Sequence, residues 1–186
     1  MILLRPFAQS DFSRLIAWIE SEEMMLQWAG PTEFVFPLTD DQLRRYLSGS
    51  DEPHSFRKIF TAISEDGKVC GHIELGAINY VNQTASLCRV FVAPEYRGKG
   101  LCAPMVESVL EFGFEELRLR RIELRVYAFN FSAIRCYERS GFVREGLLRK
   151  SQKVDDQYWD AVVMGILREE WKNANQKHTK RHQSFH

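Results

Sequence analysis

The stretch VFVAPEYRGKGLC, Val90 to Cys102, decides how this chain is read. It begins in a β-branched run and ends where an apolar helical pattern starts. Pro94 closes the strand, because proline has no N–H to give a ladder. Gly98 and Gly100 remove Cβ atoms where a ligand would approach the backbone. The helix that follows leaves its first N–H groups without intrahelical partners and carries partial positive charge at that end. Arg97 and Lys99 add full charges. Together these make a concave anion site suited to a phosphate or diphosphate.

Two common nucleotide fingerprints fail here. A P-loop needs a Gly-Lys-Ser/Thr triplet, and none is present. GxGxxG places Ala103 where its third glycine should stand.

Outward from the loop, the pattern alternates between strand and helix periods. Met1 to Arg5 is a short strand. Ser10 or Asp11 caps a helix through Phe12, Leu15, Ile16 and Ile19, and Gly30-Pro31 breaks the pattern. Thr39-Asp40-Asp41 starts a second helix through Leu43, Tyr46 and Leu47. Strands follow at Arg57–Ser64, Val69–Tyr80 and Thr84–Val92, the first two joined by the Asp66-Gly67 turn. Past Gly100, residues Leu101, Met105, Val109 and Phe112 keep helical spacing. Arg121–Tyr127 alternates as a strand. Asn130 or Ser132 caps another helix, which Gly141 ends. Phe142–Lys153 and Tyr158–Leu167 form a last strand pair. The order is β-α-α-β-β-β-α-β-α-β-β. Three consecutive hairpin-linked strands argue for antiparallel pairing and the later β-α-β crossover for a parallel component, giving a mixed α+β sheet flanked by helices.

The 186 residues are 45% hydrophobic, enough for one core, so residues 1–170 are taken as a single domain and 171–186 as a polar, basic, flexible tail. Lys+Arg and Asp+Glu balance at 25 each, which argues against nucleic acid or an anionic membrane as partner. The basic tail and Arg118-Arg120-Arg121 are the features a nucleic-acid reading would rest on. No apolar run reaches membrane-spanning length, and the first residues are too short an apolar stretch for a signal peptide. A cytoplasmic location is expected. The four cysteines, Cys70, Cys88, Cys102 and Cys136, show no CxxC spacing. They predict free thiols and no metal.

Arg97-Gly98-Lys99-Gly100-Leu101-Cys102 resembles the acetyl-CoA diphosphate loop of the GNAT N-acetyltransferases, Arg/Gln-x-x-Gly-x-Gly/Ala, with Cys102 in place of the last small residue. Asn130 to Phe142 is similar to that family's NxxAxxxYExxGF helix. Both motifs stand in the family's order, and the element order fits from Met1 to about Arg168. The resemblance implies a GNAT-like, mostly antiparallel sheet with a V-shaped splay, and direct acetyl transfer from acetyl-CoA to an amine.

It also implies residue roles. Val90, Phe91 and Val92 would pair through their backbones with the pantetheine arm. Arg97, Gly98, Lys99, Gly100, Leu101 and Cys102 would hold the diphosphate. Asn130 would bond the pantetheine region, and Tyr137 would be the general acid. Relatives carry a glutamate five positions before the motif asparagine, but Arg125 stands there. Glu123 shares the face of Arg125 and could be its ion-pair partner. Glu74 is a candidate base, with His72 on the same strand face. The acceptor site should come from residues Glu22 to Pro37. The acceptor is a small molecule or a protein N-terminus, and the chain a monomer or homodimer. A non-catalytic acyl-CoA-binding module of the same fold is the alternative.

Overall fold

Strand alternation puts Ile59 and Phe60 on opposite faces of one sheet, and both are buried. Apolar cover is therefore needed on both sides, and helices supply it. The computed structural model describes residues 2–183, with side chains through residue 176.

Seven strands form one sheet in the order β1 (Leu3–Pro6), β2 (Lys58–Ile63), β3 (Val69–Asn79), β4 (Thr84–Val92), β5 (Arg121–Tyr127), β7 (Gln157–Leu167), β6 (Val143–Val154). Every neighbouring pair is antiparallel except β4 with β5. That parallel contact needs a crossover, which α4 (Cys102–Glu111) provides. α1 (Phe12–Trp18), α2 (Glu22–Ala29) and α3 (Asp40–Leu47) cover one face with Leu15, Met25, Trp28 and Leu43. α4 and α5 (Phe131–Arg139) cover the other with Met105, Val109, Leu110 and Ile134.

The sequence pattern gives two helices ahead of the second strand, but the structure has three. The chain leaves helical geometry at Ile19 and restarts at Ser21, whose hydroxyl accepts from the Met24 amide at 3.1 Å and caps α2. The tail also differs from expectation. Helix α6 spans Arg168–Gln183, and the Trp171 ring packs on Phe114 with centroids 5.4 Å apart. Residues 184–186 lie outside the described residues. No helix among the described residues is long and apolar enough to cross a membrane.

Asp11 does not cap α1 as the sequence suggests. It is buried, and its carboxylate accepts from Arg5 at 2.6 and 2.7 Å, from the Thr61 hydroxyl at 2.9 Å and from the Ala8 amide at 3.1 Å. Burial pushes its pKa up. The bonds from Arg5, Ala8 and Thr61 outweigh that and hold it below the usual carboxylate value. A depressed folded pKa contributes stability above the ordinary value, lost as pH falls through the folded one. Asp11→Ala should destabilise the chain by about 2–3 kcal/mol in urea unfolding, because buried donors lose their acceptor. Asp11→Asn should flatten the dependence of stability on pH below about pH 4. An unchanged acid slope would contradict this account of Asp11.

Candidate active site

β4 and β5 pair only at Thr84–Ser86 with Arg121–Glu123. Beyond Ser86 the two strands part, and the β5-facing edge of residues Leu87–Val92 has no strand partner. The gap opens into a cleft of about 640 Å³. Its wall includes Val90, Phe91 and Val92, with Met24, Gln27 and Trp28 of α2 facing them.

The glycine loop closes one end. Pro94–Tyr96 makes a single 3-10 turn, and Gly98 and Gly100 then adopt φ of 75° and 76°. A Cβ at either glycine would meet nothing within 4 Å, so both backbones face open space in the cleft wall. The amides of Gly98, Gly100 and Leu101 have no acceptor among the described residues. Pro104 sits in the first turn of α4, where its missing N–H costs no helical bond. Arg97 lines the cleft, stacks its guanidinium 5.0 Å from the Phe91 ring centroid, and donates to the Val92 carbonyl at 3.3 Å. Lys99 departs from expectation. Its ammonium lies 5.1 Å from the Tyr96 ring centroid, and it is not part of the cleft wall.

α5 forms the opposite wall. Asn130 caps it, accepting from the Ala133 amide through Oδ1 at 3.2 Å, and also borders the cleft. The cap uses the oxygen and leaves the amide nitrogen for a ligand. Tyr137 borders the cleft, packs edge-on to Phe142, and spends its hydroxyl on no hydrogen bond among the described residues. Burial first, and the nearby Cys88 second, push its pKa well above the ordinary phenol value. Tyr137 is therefore a protonated phenol at neutral pH. Arg135 and Arg139 also line the cleft, and sequence reasoning missed them. Their four-residue spacing on one helix face was the available signal.

The cysteines correct a second expectation. Cys102, at the start of α4, is bridged to Cys136, next to Tyr137 on α5, with Cα atoms 6.2 Å apart. Cys70 and Cys88 remain free, and burial, with a smaller push from Glu74, raises the Cys88 thiol to about 11. The sequence showed the four positions but not that two helices bring two of them together.

Glu74 is not in the cleft. It is buried on the α1–α3 face, paired with Arg89 at 2.5 Å and accepting from the Tyr46 hydroxyl at 2.6 Å. His72 lies beside it, within hydrogen-bond distance of Tyr46 at 3.1 Å. Burial, then the charge of Arg89, lower the His72 pKa to about 3, so the imidazole is neutral. Neither side chain is placed to take a proton from a molecule in the cleft. Glu123 pairs with Arg121 at 3.1 Å rather than with Arg125. Among the described residues no carboxylate borders the cleft, and none form a metal-ligating group of three.

A second cavity, of about 940 Å³, lies on the other side of α2. The tip of the β6–β7 hairpin completes it. Glu22, Glu23, Asp155 and Asp156 give it negative charge, and Phe36 and Trp159 give it aromatic surface. The Glu22–Pro37 segment was expected to hold an acceptor; the hairpin's share was not. In the unreduced, denatured protein, alkylation followed by mass spectrometry should label Cys70 and Cys88 alone. All four cysteines should react after a dithiol, and four labels without one would contradict the bridge.

Comparison with known proteins identifies this architecture. The model of the acetyltransferase (GNAT) family matches residues 16–142. An uncharacterized prophage-derived N-acetyltransferase of Bacillus subtilis, YokL, is 35% identical over 73% of this chain and 75% of its own length. Spermidine N(1)-acetyltransferase of Vibrio cholerae is 34% identical over 94% of this chain and 98% of its own. The crystal structure of a Vibrio cholerae spermidine N-acetyltransferase with CoA and spermine superposes with a TM-score of 0.79. That match is 26% identical and covers 91% of this chain and 97% of the other. The splayed strands, the glycine loop and the matched sequence agree that this chain belongs to the acetyltransferase (GNAT) family.

Proposed function

We propose that this chain moves the acetyl group of acetyl-CoA to a primary amine of a small polyamine-class cation. Family membership carries the first half, acetyl transfer from the thioester to an amine. The acceptor class rests on one observation, the acidic and aromatic cavity across α2 from the cofactor cleft. Several carboxylates around aromatic rings favour a molecule that carries several ammonium groups on an apolar chain. The Vibrio cholerae relative named for spermidine supports the same class.

We assign the site residues these roles. The free amides of Gly98, Gly100 and Leu101, with the start of α4 behind them, hold the diphosphate. Arg97, Arg135 and Arg139 add positive charge along the cleft for the phosphates of coenzyme A. The unpaired β4 backbone at Val90 to Val92 takes the pantetheine arm as an extra strand, and the Asn130 amide donates to it. Solvent takes the ammonium proton of the acceptor, the neutral amine nitrogen attacks the thioester carbon, and the surplus proton on that nitrogen also leaves to solvent. As the C–S bond breaks, its electron pair stays on sulfur and the Tyr137 O–H supplies the proton. Solvent then restores the phenol. The dry surroundings that raise the phenol also raise the basicity of the departing sulfur, so the transfer is less uphill than the phenol alone implies.

Tyr137→Phe should lower kcat by roughly a hundredfold, the usual scale for losing a general acid. The acetyl-CoA dissociation constant should stay nearly unchanged, and full activity would remove Tyr137 from the mechanism. Coenzyme A release measured over a panel should favour spermidine and spermine over monoamines, aminoglycosides and peptide N-termini. Preference for a peptide N-terminus would overturn the acceptor class. Acetyl-CoA binding without turnover across the panel would indicate a non-catalytic module.

A further inference from the structure

β3 and β4 fall out of step near the cleft. Between two paired positions, β3 runs from His72 to Glu74 while β4 runs back from Phe91 to Cys88, so β4 carries one extra residue. The surplus lies at Arg89 and Val90. Arg89 has φ of 49°, a conformation that residues with a side chain rarely adopt. A bulge re-aims the peptide groups around it, and those that follow are Val90 and Phe91 in the cleft wall.

Arg89 is fastened at both ends. Its carbonyl accepts from the indole N–H of Trp28 at 3.0 Å. Its guanidinium donates to Glu74 at 2.5 Å and to Glu33 at 3.0 Å, with only 11% of the side chain exposed. Both carboxylates are held independently, Glu33 by Arg57 at 2.8 Å and Glu74 by the Tyr46 hydroxyl at 2.6 Å. The anchors come from α2, the segment after it, α3 and β3. Trp28, Glu33 and Glu74 grip Arg89 directly, and Tyr46 backs Glu74.

We propose that Arg89 is a positioning residue of the acetyl transfer: clamped by Trp28, Glu33 and Glu74, it sets the direction in which the Val90 and Phe91 peptide groups meet the acetyl thioester. The proposal rests on the acetyl-CoA reading of the cleft. It also gives Glu74 a use that its burial permits, as an anchor and not a base. Peptide dipoles stabilise developing charge only when held at the right angle before the reaction, so a loosened bulge acts on the chemical step more than on binding.

The test uses three variants of the full chain. Trp28→Phe removes the indole N–H and keeps a ring against Phe34. Arg89→Lys keeps one cation. Arg89→Met with Glu74→Gln removes the ion pair without leaving Glu74 charged in the interior. For each, acetyl-CoA affinity and the fraction of binding-competent protein are measured by calorimetry, and kcat is expressed per competent site. The expected result is a loss of kcat per site of roughly tenfold or more in the double variant, on the scale of a misplaced charge-stabilising donor. The two milder changes should lose less, and acetyl-CoA affinity should hold within a few fold. Unchanged kcat per site, even with reduced thermal stability, would overturn the proposal and leave Arg89 structural. Failure of the unaltered protein to bind acetyl-CoA would instead overturn the reading of the cleft.

Discussion

The rest of the structure depends on where β4 stops pairing with β5. The parallel contact lasts three residue pairs, from Thr84 to Ser86, and then ends. Unpaired backbone groups are costly in a dry interior, so a strand edge left open over the following residues needs another partner. Here the open edge meets a cleft, with amides that have no acceptor at one end and a buried phenol on the opposite wall. The missing ladder and the binding site are thus one feature.

Both faces of the sheet are covered, and this explains most of what the sequence concealed. Glu74 alternates with Ile73 and Leu75, which in a half-solvated sheet would turn it outward. Because α1–α3 cover that face, Glu74 is sealed in with Arg89, Arg57 and Tyr46. Period alone cannot tell a solvated face from one covered by helices, since both give residues of one kind at every second position. The same cover turns His72 into a neutral interior side chain between Phe7 and Trp28.

What depends on local chemistry was legible. Pro94, Gly98, Gly100 and the Asn130 cap act within a few residues, and the loop and α5 stand where those residues place them. The mixed, mostly antiparallel character of the sheet was legible from hairpin turns and a crossover, but the placing of β7 between β5 and β6 was not. What depends on contact between distant segments was not legible. The Cys102–Cys136 bridge joins positions 34 residues apart, and nothing in their spacing announces that α4 and α5 lie side by side. The extra residue in β4 is equally silent, because a bulge is visible only against the register of its partner strand. α2 was hidden inside one long apolar pattern until the cap at Ser21 separated it from α1.

One measurement bears most directly on the cleft as the seat of acetyl-CoA. Amide hydrogen exchange can be followed with and without acetyl-CoA at residues 90–92 on the strand and 98–103 in the loop. Slowing is expected in both groups together, since one end of the molecule would take the open strand edge and the other the free amides. Saturating acetyl-CoA that slowed exchange elsewhere, or left either group unchanged, would contradict this assignment of the cleft.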